Sequence, residues 1–78
     1  MNTLIDQPVS AHCQLGVVTI RLHSGRELSF RVEGNPRLEG RSDEHLNNIE
    51  LSPYGLHWPD LNEDLSLAGI AEGHYGQR

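Results

Sequence analysis

Val17-Val18-Thr19-Ile20-Arg21-Leu22-His23-Ser24-Gly25-Arg26-Glu27-Leu28-Ser29-Phe30-Arg31-Val32 decides the fold. It holds two runs of period two around a turn signal. Val18, Ile20 and Leu22 face one way, Thr19, Arg21 and His23 the other; Leu28, Phe30 and Val32 then alternate with Ser29, Arg31 and Glu33. That period marks half-buried strands, and Ser24-Gly25 marks the turn. A strict two-residue loop would set Ile20 opposite Ser29 and mix the faces. Leu22 opposite Leu28, Ile20 opposite Phe30 and Val18 opposite Val32 keeps them apart. That register needs a three-residue connection or a bulge beside Gly25. It pairs His23 with Glu27 and Arg21 with Ser29 on the outer face.

Upstream, Val9, Ala11, Cys13 and Leu15 alternate with Ser10, His12 and Gln14, which predicts a strand over residues 9–15 turning at Gly16. Downstream, Gly34-Asn35-Pro36 ends the second run, and residues 36–42 read as an arginine-rich loop. Ser42 is a good N-cap, and Asp43 and Glu44 favour a helix start, so a short helix is expected from Asp43 to about Asn48. Ile49-Glu50-Leu51 and Leu56-His57-Trp58 flank Ser52-Pro53-Tyr54-Gly55, a type I turn sequence. A two-residue loop sets Leu51 opposite Leu56 and Ile49 opposite Trp58, with Glu50 opposite His57 on the other face. Asp60 to Asp64 reads as an acidic connection. Asp64 or Ser66 could cap a last helix over residues 65–72, with Leu67, Ile70 and Ala71 as its apolar stripe and Gly73 as its stop. The expectation is an α+β domain: a small antiparallel sheet built from two hairpins, a short middle helix and a short C-terminal helix. All 78 residues make one domain, with residues 1–7 and 74–78 frayed.

Composition narrows the setting. The single cysteine, Cys13, forms no intrachain disulfide, and the N-terminus has no basic region followed by an apolar run. A cytoplasmic home is expected, with no membrane partner. Net charge is −5 and uneven. Before residue 43, five arginines face four acids; from Asp43 onward there are seven acids and only Arg78. An acidic surface repels nucleic acid phosphates and suits a basic protein.

No catalytic or metal constellation emerges. The histidines His12, His23, His45, His57 and His74 lack the spacing of a zinc shell. Adjacent strand residues His12 and Cys13 point to opposite faces. Cys13 reads as a core thiol rather than a nucleophile. Asp60, Glu63 and Asp64 lack the glycine and alternating oxygen ligands of a calcium loop, so no cofactor is expected. Glutamates intervene among Arg21, Arg26, Arg31, Arg37 and Arg41, which argues against direct nucleic-acid contact. Trp58 is read as core, with a partner anchor as the alternative.

Residues 46–67, from Leu46 through the His57-Trp58-Pro59-Asp60-Leu61-Asn62-Glu63-Asp64-Leu65 segment, resemble the bacterial domain-of-unknown-function 2442 family. His57, Trp58, Pro59, Leu61, Asp64 and Leu65 meet its core pattern, and Gly73-His74-Tyr75-Gly76 its glycine-containing end. Asn62 departs from it, since relatives often carry aspartate there. The resemblance implies a small α+β domain with no established catalytic residues. Some relatives are fused to a helix-turn-helix domain; others are encoded beside a second small protein in pairs that look like toxin–antitoxin modules.

These lines converge on a non-enzymatic, antitoxin-like protein-binding module masking a small basic partner, with Tyr54, His57, Trp58, Asp60, Glu63 and Asp64 as candidate contacts. The alternatives are an acidic inhibitor of a host nucleic-acid enzyme, borne by a phage or mobile element, and a regulatory domain of the transcription-factor type. An unpaired strand edge near residues 9–15 would allow a homodimer.

Overall fold

The structure, a computed structural model, describes residues 6–76. Two three-stranded antiparallel meanders follow one another along the chain. The first comprises β1 (Pro8–Gln14), β2 (Val17–Leu22) and β3 (Glu27–Arg31); the second comprises β4 (Glu50–Ser52), β5 (Gly55–Trp58) and β6 (Glu63–Ser66). Helix α1 (Asp43–Asn47) stands between them, and α2 (Leu67–Ala71) follows β6. The α+β class is as expected, but the strands form two sheets rather than one. Each expected hairpin is joined by a third strand, and β6 occupies residues assigned to an acidic connection and a helix start.

The β2–β3 faces hold, but their register is two residues from the expected one. Ile20 lies opposite Leu28, Val18 opposite Phe30 and Arg21 opposite Glu27. A three-residue connection does occur, one residue earlier than expected. It runs over His23–Gly25, closed by the Leu22 N–H donating to the Arg26 carbonyl at 2.8 Å. Gly25 takes φ 98°, which only glycine adopts without cost. Face segregation alone allows either register; the turn chooses.

The β1 alternation breaks at both ends. A register shift between Pro8 and Ser10 buries Pro8 and leaves Val9 exposed. At the other end Gln14 pairs with Val17, so Leu15 and Gly16 form a two-residue loop with φ 53° and 78°. Two positive φ values are the type I′ hairpin geometry. Leu15 is therefore a turn residue, 92% exposed, and not a core residue.

One cluster of buried residues joins both sheets: Val18, Ile20, Leu22 and Phe30 from the first, Leu56 and Trp58 from the second, Leu46 and Ile70 from the helices. Leu38, from the segment read as a plain loop, is fully buried among them. Such a side chain contributes about 1.5–3 kcal/mol through burial. Ser42 caps α1, its hydroxyl accepting the His45 N–H at 3.2 Å. Ser66 rather than Asp64 caps α2, accepting the Gly69 N–H at 2.9 Å. Helix α2 ends as expected at Gly73, φ 90°; the His74 N–H reaches the Gly69 carbonyl and the Gly73 N–H the Ile70 carbonyl, a Schellman closure.

The described ends contact the rest of the fold. Asp6 accepts from the Ser24 hydroxyl at 2.5 Å and the Ser24 N–H at 2.9 Å, which holds its carboxyl below the usual range. The Gln7 carbonyl accepts the His23 N–H. Tyr75 stacks on Phe30 with ring centroids 5.1 Å apart. Residues 1–5 and 77–78 lie outside the described part.

Asn35 organises the loop, although its Gly34-Asn35-Pro36 setting reads as an ordinary strand end. It is the one buried polar side chain among the described residues, fully enclosed. Its Oδ1 accepts the N–H groups of Arg37 (2.8 Å) and Leu38 (3.2 Å). Its Nδ2 donates to Glu63 Oε2 (2.9 Å) and the Tyr75 carbonyl (2.7 Å). All its side-chain hydrogen-bonding capacity is used, as burial demands.

Candidate functional site

Strand β5 sends Leu56 and Trp58 into the core; half-buried His57 and buried Gly55 belong to its other face. Pairing on both sides then writes rows across the outer face. Glu50, His57 and Asp64 form one row, and Ser52, Gly55 and Ser66 the next. The Ser52-Pro53-Tyr54-Gly55 turn closes with the two-residue loop expected from sequence, and Tyr54 stands out at its tip, 66% exposed. Tyr54, Gly55, His57 and Asp64, with Ser52 and Ser66, line a shallow depression of about 590 Å³.

His57 Nδ1 lies 2.6 Å from Asp64 Oδ1. A carboxylate only accepts, so Nδ1 carries the proton, and in the neutral ring Nε2 is left as an acceptor. Both serines of the depression are engaged within the fold. Ser52 Oγ accepts the Gly55 N–H at 3.1 Å, and Ser66 Oγ caps α2. What the face offers is two carboxylates, with an aromatic ring at its rim. That set receives a guanidinium or ammonium group, through charge-assisted hydrogen bonds and the tyrosine face.

The six residues expected to touch a partner are dispersed. Tyr54, His57 and Asp64 come together on this face. Asp60 sits in the turn at the far end of β5, where its carboxylate accepts from Asn48 Nδ2 at 2.8 Å. Glu63, the cross-strand neighbour of Trp58, points inward and holds Asn35. Trp58 is fully buried, its indole N–H donating to the Leu46 carbonyl at 3.0 Å, so the core reading holds and the anchor reading falls. Strand period explains the sorting: neighbours in sequence take opposite faces. The sequence places Glu50 opposite His57, but only β6 completes the row that brings Glu50 into the site.

Cys13 is buried on β1, and burial pushes its thiol up, with Asp43 adding to the effect. Among the described residues no group of three or more His, Cys, Asp or Glu side chains is placed to hold a metal ion. No described helix is long and apolar enough to cross a membrane.

A family model described as "Protein of unknown function (DUF2442)" matches residues 8–76. The chain belongs to this family. Two solved structures resemble this DUF2442 domain over most of its length. One is a crystal structure of a protein of unknown function from Rhodospirillum rubrum, 32% identical, covering 94% of this chain and 93% of that one, with a TM-score of 0.80. The other is the solution NMR structure of an uncharacterized protein from Chromobacterium violaceum, 35% identical, covering 91% of this chain and 69% of that one, with a TM-score of 0.77. No curated protein matches the chain. The residues that carried the resemblance now have physical roles in the DUF2442 domain. Trp58, Leu61 and Leu65 belong to the core or pack against it, Pro59 opens the β5–β6 turn, and His57 and Asp64 are the outward pair across it. Asn62 sits in that turn at φ 53°, a left-handed conformation that asparagine tolerates well.

Proposed function

We propose that this DUF2442 domain is a non-enzymatic, antitoxin-like binding module that masks a small basic protein with the outer face of β4–β5–β6. The observation that carries the reading is the Glu50–His57–Asp64 row beside the exposed Tyr54. Asp64 and the Tyr54 ring line the depression over Gly55, and Glu50 continues the row beside it; together they form a seat for an arginine or lysine side chain. The acidic C-terminal half steers a basic partner, and close contact at Tyr54 then holds it. The serines beside His57 support a binding role over a hydrolytic one, because each hydroxyl is spent on a turn or a cap. The lone buried thiol of Cys13 suits a reducing cytoplasm.

The test is affinity capture from host lysate with the wild-type domain and with Tyr54→Ala, Glu50→Arg and Asp64→Arg, at low and high salt. One small basic protein should be retained by the wild type at low salt and released at high salt. Each charge reversal should weaken its binding by about tenfold, mainly through the association rate. A partner retained equally by all three variants would sink this face as the site. A nucleic-acid enzyme as the captured partner would instead favour the acidic-inhibitor reading, which uses the same charges on a different class of target.

A further inference from the structure

The outer face of the first sheet carries a second depression, and strand register builds it. Ser10, Arg21 and Glu27 form one row across β1, β2 and β3; His12, Thr19 and Ser29 form the next. Ser10, His12, Thr19, Arg21 and Glu27 line a space of about 210 Å³ where the two rows meet. The register of β1 shifts between Pro8 and Ser10, and such a bulge bends its strand and raises the local twist beside the depression. The strand is also held from its other edge. Asn47 Oδ1 accepts the Cys13 N–H at 2.8 Å and its Nδ2 donates to the Cys13 carbonyl at 2.9 Å, so α1 fixes the backbone next to His12.

All five lining side chains are polar, and their bonding capacity is largely unspent. Among the described residues none bonds to the Ser10 or Thr19 hydroxyl or to the His12 ring. Arg21 Nη2 stands 3.6 Å from Glu27 Oε2, beyond hydrogen-bond distance. The guanidinium therefore keeps donors, and the carboxylate keeps acceptors, for a third party.

Those two charges decide the ligand. A lone anion on Arg21 would meet Glu27, and a lone cation on Glu27 would meet Arg21. A molecule that carries both charges a few atoms apart satisfies both. The space is below the about 300–1,000 Å³ of drug-sized pockets, and no lining residue is apolar, so the ligand is small and polar. We propose that this depression binds a small free α-amino acid. Its carboxylate sits on Arg21 and the Ser10 and Thr19 hydroxyls, and its ammonium on Glu27. A peptide carries these two charges at opposite ends of a chain, so the site selects the free amino acid over peptide termini. The proposal rests on the first sheet alone and is independent of the reading of the β4–β5–β6 face.

Titration of the isotope-labelled domain with serine, followed by amide NMR shifts, tests it. Saturable shifts should appear at His12, Thr19 and Arg21, with a Kd of about 1 mM, as a ligand of so few atoms would give. N-acetylserine lacks the ammonium and serinamide the carboxylate; each should bind about tenfold more weakly. Glycerol, which offers hydroxyls alone, should leave the shifts in place. Arg21→Gln and Glu27→Gln change exposed side chains, so both should fold, and each should weaken serine binding about tenfold. Thr19→Val should weaken it about fivefold. A wild type with no saturable shift below about 50 mM serine would overturn the proposal. So would N-acetylserine or glycerol binding as tightly as serine, or a Glu27→Gln variant that binds serine unchanged.

Discussion

Leu15 adopts φ 53° in the β1–β2 turn and leaves 92% of its surface in water. A branched apolar residue in the left-handed region costs on the order of 1–2 kcal/mol relative to glycine or asparagine. It recovers nothing within the chain by packing. Leu15→Asn should therefore stabilise the domain by about 0.5–1 kcal/mol, read as a higher urea midpoint with an unchanged slope. An unchanged midpoint would mean that this turn carries no strain. The same residue shows how alternation misleads at a strand end. Val9, Ala11, Cys13 and Leu15 look equivalent in the sequence, yet only Cys13 is buried. A bulge at one end and a tight turn at the other decide the rest.

At the level of elements, β6 is the strand least supported by its own residues. Glu63-Asp64-Leu65-Ser66 has low β-propensity, and its neighbours Leu67 and Ile70 suggest helix. Pairing with β5 overrides that preference. It depends on Gly55, where a Cβ would collide with the Leu65 carbonyl oxygen. The obstacle is backbone and cannot swing aside. Gly55→Ala should cost about 2 kcal/mol or more, and hydrogen exchange should show faster amides at Asp64 and Leu65 than at Thr19 and Ile20 of the first sheet. Equal acceleration in both sheets would indicate that β6 does not open separately. The helices are easier to read because caps act locally: the neighbours of Ser42 mark it as a cap, and Ser66 is one of two residues that could cap α2.

For the whole molecule, Asn35 is the joint. Its side chain links the segment after β3 to Glu63 at the start of β6 and to the main chain at Tyr75. A domain of this size has a net stability of only about 4–12 kcal/mol. Asn35→Ala should cost about 2–4 kcal/mol, because the Glu63 carboxylate and the Tyr75 carbonyl lose a partner together with the Arg37 and Leu38 amides. The loss should be accompanied by release of the C-terminal segment, read as loss of ring-current shifts from the Phe30–Tyr75 stack by NMR. A stack that persists in the variant would show that the aromatic contact, and not Asn35, holds the tail.

The sequence by itself determined what nearest neighbours along the chain determine: the α+β class, five of the six strands, the cap of α1, the β4–β5 turn and its register, and the core position of Trp58. Each follows from period, turn chemistry or capping within a few residues. Only the tertiary structure decided that the strands form two sheets, that β6 pairs with β5, and that Asn35 and Leu38 are buried. It also decided that Glu63 faces inward while Asp64 faces out beside His57. These depend on which segments distant in sequence come to lie against one another. The alternation of polar and apolar residues states which face a side chain prefers, but not what lies on the other side of that face.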